Sequence, residues 1–429
     1  MTETESEAGG RPGRPAQQPG ESDIRYNFRL LLIHGMLGQT GFRLLQAPTF
    51  LPAYLSLLAG NNAVVGIARA VQSLGMSISP YLAAWMVEHR LRVKRLGILF
   101  GSLMRFQILL LALTALLLPR DQALMAVWIV IGLWGFSSGL QIVTFSFILS
   151  KVIPAHRRGR LVGIRNATAG ITLLVVSALG GWLIEHFGFP RGYGWTFLLA
   201  FVLTTLGLGA FFFIREPDTL GRRQPARLLS RMAQLPALLR AEPDFARFVI
   251  ARLLATAGRG ALPFYVLFLG QRFELSGTRL ALLTILYTLA ESQGALLWGI
   301  LSERTGFRWI FLGSLATWSA GNLLILQSQS LGSAYLVFVL VGAGFSGFML
   351  ASQNLVLEFG SETDRPMRIA ATHATSELVG MVSYLGAAAV SEMAPLAWIF
   401  WISLFLHTTS AAVMFKVKDP RHASAERGG

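Results

Sequence analysis

The sequence predicts an all-α polytopic membrane protein of twelve transmembrane helices in two six-helix bundles. Three observations predict it. Only 14% of the 429 residues are charged while 53% are hydrophobic, against about 25% charged in soluble domains. Apolar runs long enough to cross a bilayer core recur from residue 28 to residue 415. One long polar connection interrupts them halfway, and short turns separate the rest.

The expected elements follow in chain order. Residues 1–27 form a polar tail rich in Gly, Pro and Glu that cannot bury a core and is expected to be disordered. Spans are expected at 28–58, 62–87, 95–118, 122–149, 161–187 and 194–214, which together make an N-terminal bundle over 28–214. Residues 215–245 form the linker. In it Leu228, Met232, Leu235 and Leu239 share one helical face beside Arg223, Arg227 and Arg231. That pattern suits an amphipathic helix on an anionic membrane surface; a solvated basic connector interrupted by Pro236 fits equally. Spans at 246–269, 279–301, 309–327, 334–357, 368–391 and 396–415 make the C-terminal bundle over 246–415, and residues 416–429 are a second tail.

Charge placement sets the orientation. Of the 37 Lys and Arg residues, 27 fall at the end shared by both tails and the linker, four at the opposite end and six inside spans. By the positive-inside rule both termini are cytoplasmic. In a soluble protein the net charge of +15 would suggest nucleic acid; here it belongs to membrane topology, and no nucleic-acid partner is expected. The absence of cysteine excludes disulfides and thiolate chemistry.

Four correspondences link the halves. Glu88 and Glu303 lie 215 residues apart, as do Pro48 and Pro263. Gly135-Phe136-Ser137 recurs as Gly344-Phe345-Ser346, and Asn166-Ala167-Thr168 is matched by His373-Ala374-Thr375, with offsets of 209 and 207. Their shared order argues for an internal duplication. Two parallel six-helix repeats joined by a linker are a transporter architecture.

The turn Gly299-Ile-Leu-Ser-Glu303-Arg304-Thr-Gly306-Phe-Arg308 sharpens this reading. It resembles the loop pattern Gly-x-x-x-Asp-Arg-x-Gly-Arg-Arg of the major facilitator superfamily, with Glu for Asp. The first-half copy around Glu88, Arg90, Arg92 and Lys94 has lost both glycines, to Ala84 and Leu91. In the family the first-half copy is usually the better preserved, so the inversion is a departure. The resemblance covers 28–415. It implies a cytoplasmic charge latch in which Glu88, Arg92, Glu303, Arg304 and Arg308 gate the two bundles, the acids engaging Arg160 or Arg368. An ordinary basic loop with a helix-capping acid is the alternative.

Ionisable residues inside spans are costly and suggest function. Arg43 and Arg259 lie just before Pro48 and Pro263; the resemblance implies that their helices face each other across a central cavity. Two such cations would attract an anion, with Arg165 as a third. Glu291 and Glu377 are candidate proton carriers, or structural partners of an arginine. Gln141, Gln353 and Asn354 are candidate polar contacts for substrate, alongside Gln39, Gln72, Asn166, Gln293 and His373; helix–helix hydrogen bonding is their bland alternative. Phe42, Trp134, Phe264 and Tyr287 are candidate stacking groups. Arg69, Arg105 and Arg252 are set aside as bracing or snorkelling residues.

No P-loop, HExxH or Gly-x-Ser-x-Gly sequence occurs, so neither an enzyme, a metal site nor a cofactor is expected. Two features of proton-driven drug exporters are also missing. Span 4 has no early arginine, and Val176-Ser177-Ala178-Leu179-Gly180-Gly181 has no proline before its glycine pair. The expectation is therefore a monomeric, proton-coupled secondary transporter of a small organic anion in the lipids of a bacterial cytoplasmic membrane. An exporter of amphipathic drugs or lipids and a non-transporting membrane sensor are the rival readings.

Overall fold

A computed structural model describes residues 20–217, 239–359 and 365–418, apart from His89 and Leu91. Most of the expected linker helix and the 1–19 part of the expected disordered tail lie outside these residues. The described residues are helical and contain no strand.

The first crossing is broken twice. α1 (Glu21–His34) passes through a π-turn at Gly35–Gln39 into α2 (Thr40–Gln46), and the chain bends at Ala47–Thr49 before α3 (Phe50–Ala59). Pro48 supplies the bend, because it has no N–H to donate and its ring obstructs the carbonyl one turn back. Helix begins at Glu21, earlier than the expected 28, and Glu21 and Asp23 favour this by placing acids in the first turn. α4 (Ala63–Glu88), α5 (Lys94–Leu117), α6 (Arg120–Val152), α7 (Ala155–Phe187) and α8 (Arg191–Phe212) complete the first half.

The second half repeats the plan. α9 (Pro243–Gly258) tightens into a 3-10 turn at Arg259–Phe264, around Pro263, and resumes as α10 (Tyr265–Gly270). Both prolines therefore break the same place in their repeats. α11 (Gly277–Thr305), α12 (Phe307–Gln327), α13 (Leu331–Glu358), α14 (Arg365–Met393) and α15 (Ala397–Phe415) follow. Gly306 alone joins α11 to α12 at φ 84°, a left-handed conformation that glycine adopts without a Cβ penalty.

Among the described residues nine helical runs are each long and apolar enough to cross a bilayer. α4 and α14 fall short because they carry Arg69, Gln72 and Ser73, and Arg368, His373 and Glu377. Large apolar side chains such as Met125 and Phe405, 73% and 68% exposed, cover the outside. A membrane protein presents such a belt to lipid.

Small residues let the helices of each half approach closely. A Cβ on Gly135 of α6 would collide with the Gln72 backbone of α4, and one on Gly342 of α13 with the Tyr287 backbone of α11. The sixth crossing of each half is tied down alike. Lys94 Nζ donates to the Phe212 and Ile214 carbonyls at 3.1 and 2.9 Å, and Arg308 donates to the Phe415 carbonyl at 2.6 Å. Lys94 and Arg308 are 214 residues apart, close to the offset of the prolines.

Two close crossings join the halves at the end of the molecule away from the chain termini. Gly66 of α4 packs on Tyr384 and Ala388 of α14, and Gly181 of α7 packs on Gly277 and Ala281 of α11. Beside them Thr49 and Thr284 share a 2.6 Å hydrogen bond, and the Glu185 carboxylate accepts the Thr278 N–H at 2.9 Å.

Candidate functional site: an arginine-rich central cavity

Between the halves, midway along the helices, lies a cavity of about 270 Å³. The broken crossings build its walls. α2 and the Pro48 bend bring Arg43 and Gln46 to it, and the 3-10 turn brings Arg259 and Pro263. α4 adds Arg69, Gln72, Ser73 and Met76; α11 adds Tyr287, Thr288 and Glu291. Phe345 of α13 and Glu377 and Tyr384 of α14 close it.

Arg43 spans the two halves. Its Nη1 donates to Ser292 Oγ at 2.9 Å on α11, and its Nη2 donates to Asn166 Oδ1 at 3.4 Å on α7. Both partners are neutral, so its charge is not cancelled by them. Arg69 donates to Gln72 Oε1 at 2.9 Å and to the Gln46 carbonyl at 3.2 Å, again neutral groups.

Arg259 stands opposite with a carboxylate. Its Nη2 lies 3.9 Å from Glu377 Oε1, and its guanidinium is 5.9 Å from the centre of the Tyr384 ring. Gly380 makes room for it, since a Cβ there would sit 2.6 Å from Arg259 Nη2. Its Nε is buried and has no hydrogen-bond partner among the described residues. Glu291 is half-buried at the cavity and forms no hydrogen bond or ion pair among the described residues. Three guanidiniums thus meet two carboxylates, and the first half contributes arginines alone. In a low-dielectric enclosure such an excess favours an anionic ligand.

Arg43, Arg259, Glu291 and Glu377 are therefore brought to one cavity, and Glu377 is paired with an arginine. Arg165 and Gln141 are not. Both are buried inside the first half: the Arg165 guanidinium lies 4.6 Å from the centre of the Phe145 ring, against which His34 also stacks. Gln353 is exposed, and Asn354 bonds the Leu350 carbonyl of its own helix at 2.8 Å; neither lines the cavity. Gln293 and His373 are exposed, while Trp134 and Phe264 are core residues. Arg105 braces α5 against α8 by donating to the Thr204 carbonyl at 2.6 Å. Arg252 is buried and donates to the Ser352 carbonyl at 3.3 Å rather than reaching the surface.

Arg69 lines the cavity, where the sequence predicts only a bracing or snorkelling residue. Arg69, Gln72, Ser73 and Met76 are spaced as one helical face, and that spacing was the available signal.

The residues expected to gate lie at the end with the chain termini. Glu88 closes α4, with its side chain outside the described residues. Arg92, Glu303 and Arg304 are exposed, and Arg308 holds Phe415 as described. Arg160 is exposed; Arg368 is fully buried and bonded to both carboxylate oxygens of Glu242 at 2.7 and 2.5 Å.

Comparisons with known proteins agree with this architecture. The family model of the Major Facilitator Superfamily matches twice, over residues 32–255 and 248–429. An uncharacterized protein of Mycobacterium tuberculosis is 28% identical over 209 residues, which is 47% of this chain and 39% of that protein's length. The chain thus spans well under half the length of the curated relatives it matches. Among solved structures, that of a mutant of the nucleoside transporter NupG superposes with a TM-score of 0.74 at 14% identity, covering 91% of this chain and 99% of that one. A D-xylose–proton symporter gives 0.67 at 15%, covering 93% and 98%. At such identities the likeness establishes the fold.

Proposed function

The chain belongs to the major facilitator superfamily, and from that premise we propose that it is a secondary transporter moving a small organic anion by alternating access, coupled to protons. The observation that carries this reading is the cavity between the halves, where Arg43, Arg69 and Arg259 outnumber Glu291 and Glu377. A neutral solute would leave that excess uncompensated, whereas a carboxylate or phosphate could bridge guanidiniums of both halves. The volume of about 270 Å³ suits a metabolite-sized molecule.

Proton coupling is assigned to the two carboxylates. A protonated Glu291 leaves more net positive charge for the anion; release of that proton restores competition for Arg43. Glu377 couples less directly, through its pair with Arg259. The fold likeness to a D-xylose–proton symporter supports coupling of this kind by analogy.

The charge bias toward the terminal end supports cytoplasmic termini, and the proposed setting is a monomer in the bacterial cytoplasmic membrane. On that orientation the close crossings at Gly66 and Gly181 seal the outer side. Rocking of the halves would open them and close the cytoplasmic end. Glu88, Arg92, Glu303 and Arg304 are proposed to engage in that second state, with Arg308 fixing the helix end on which the loop turns.

The reading is tested in proteoliposomes loaded with a pH-sensitive dye and presented with a panel of carboxylates and phosphate esters that first raise the melting temperature of the purified protein. Anion-dependent proton movement is expected. Saturable binding without flux would instead make the protein a sensor, and preferential flux of neutral amphipaths would make it an exporter of another class.

A further inference from the structure

A second basic pocket, of about 340 Å³, opens at the end carrying the termini, well apart from the central cavity. Two helices build it. Arg25 and Arg29 stand one turn apart on α1 with Phe28 between them, and Arg157 and Arg160 stand one turn apart at the start of α7. Among the described residues one carboxylate faces this group: Glu21 lies 2.7 Å from Arg157 and 3.8 Å from Arg25. The neighbouring acid Asp23 is engaged elsewhere, at 2.7 Å from Arg215. Arg29 and Arg160 are exposed and form no hydrogen bond or ion pair among the described residues.

Among the described residues, four guanidiniums against one carboxylate leave three positive charges in one concavity. A single carboxylate ligand would neutralise one of them. Guanidinium forks match phosphate oxygens in pairs, and a phosphate group carries two charges or comes as linked diesters. We propose that this pocket is a phosphate-binding site, filled by a phosphate dianion or by the paired phosphodiesters of an acidic phospholipid. Basic pockets between membrane helices at the cytoplasmic side bind lipid head groups through this chemistry. Phe28 gives the pocket an apolar floor that an acyl-glycerol moiety could cover. The site stands on its own geometry and does not depend on what the central cavity carries.

The test titrates inorganic phosphate into the full chain in neutral detergent, for wild type, Arg29→Gln/Arg160→Gln and Arg43→Gln. At about fivefold per arginine, the size of a basic residue's attraction to anionic lipid head groups, the double variant should bind phosphate about twenty-five-fold more weakly. Arg43→Gln should keep the wild-type affinity of this phase. Circular dichroism and melting temperature check that the double variant is folded. Wild-type affinity in the double variant overturns the proposal, as does loss of phosphate binding in Arg43→Gln alone, which would assign the phosphate to the central cavity.

A second arm identifies the source. In phosphatidylcholine nanodiscs, added diphosphatidylglycerol should raise the melting temperature of wild type and leave the double variant unmoved if a lipid fills the pocket. Stabilisation by inorganic phosphate with no response to that lipid would assign a soluble phosphate. Absence of both responses overturns the site.

Discussion

Arg43 donates a 2.9 Å hydrogen bond to Ser292, so a guanidinium of the first half is held by a hydroxyl of the second. A neutral hydroxyl contributes less than a carboxylate would, and an anion entering the cavity can displace it. Arg43→Gln and Arg259→Gln are each expected to reduce anion transport at least a hundredfold, about 3 kcal/mol for a lost charge-assisted contact. The check is flux per folded molecule, with melting temperature as the control. Normal flux in both variants would move the anion site elsewhere.

Glu291 lines the cavity without a protein partner among the described residues. Glu291→Gln fixes the neutral form of that side chain. The variant is expected to exchange labelled anion for unlabelled anion across the membrane at near wild-type rate, while uptake no longer responds to an imposed pH gradient. Retained pH-driven uptake would transfer the coupling role to Glu377 or to another group.

Gly342 leaves no space for a side chain against the Tyr287 backbone. Gly342→Val should destabilise the second half by about 1–3 kcal/mol, the usual cost of overpacking. Because Tyr287 also lines the cavity, anion affinity should fall together with melting temperature. Gly299, whose Cβ would meet nothing within 4 Å, is the control: Gly299→Ala should be neutral or stabilising.

Lys94 and Arg308 bind the last carbonyls of the sixth crossing in their own halves. Replacing either with Met should cost about 1 kcal/mol, the net contribution of such a hydrogen bond, and the two losses should add because the sites lie in different halves. Thermal unfolding of the single and double variants measures this. Glu303→Gln should instead leave stability unchanged and slow transport, separating a gating acid from a structural arginine in the same turn.

Glu185 of α7 accepts the Thr278 N–H in the first turn of α11, across the sealed end. Glu185→Ala removes that cap, worth about 1 kcal/mol, and should shift the population toward the state open at that end. The chain has no cysteine, so a single Thr284→Cys reports the shift directly: its labelling from that side should rise several-fold in Glu185→Ala. Unchanged labelling would show that the glycine crossings hold the seal without it.

The sequence made the broken crossings legible, because Pro48 and Pro263 sit at one offset and proline acts locally. It also singled out Arg43, Arg259, Glu291 and Glu377, because an ionisable residue in an apolar run is conspicuous wherever it points. Direction was the harder matter. In a helix apolar on every side, hydropathy carries little phase, so nothing in the local pattern of α6 and α7 separated Gln141 and Arg165, turned into the first half, from residues turned to the cavity. Arg69 was set aside for its position near a span end, although its neighbours Gln72, Ser73 and Met76 share its face. Arg308 belongs to a recognisable turn, but its contact with Phe415 joins residues 107 positions apart, which local spacing cannot anticipate.

The strap that Arg43 forms with Ser292 and Asn166 has a kinetic consequence. If the cavity carries the proposed anion, an unloaded carrier keeps its two halves tied by the group that the cargo needs, so the return journey without cargo begins by breaking that tie unaided. A loaded carrier has already exchanged it for the anion. Turnover should therefore be quicker with cargo waiting on both sides than with one side empty, and the protein would behave as a trader of anions before it behaves as a one-way pump.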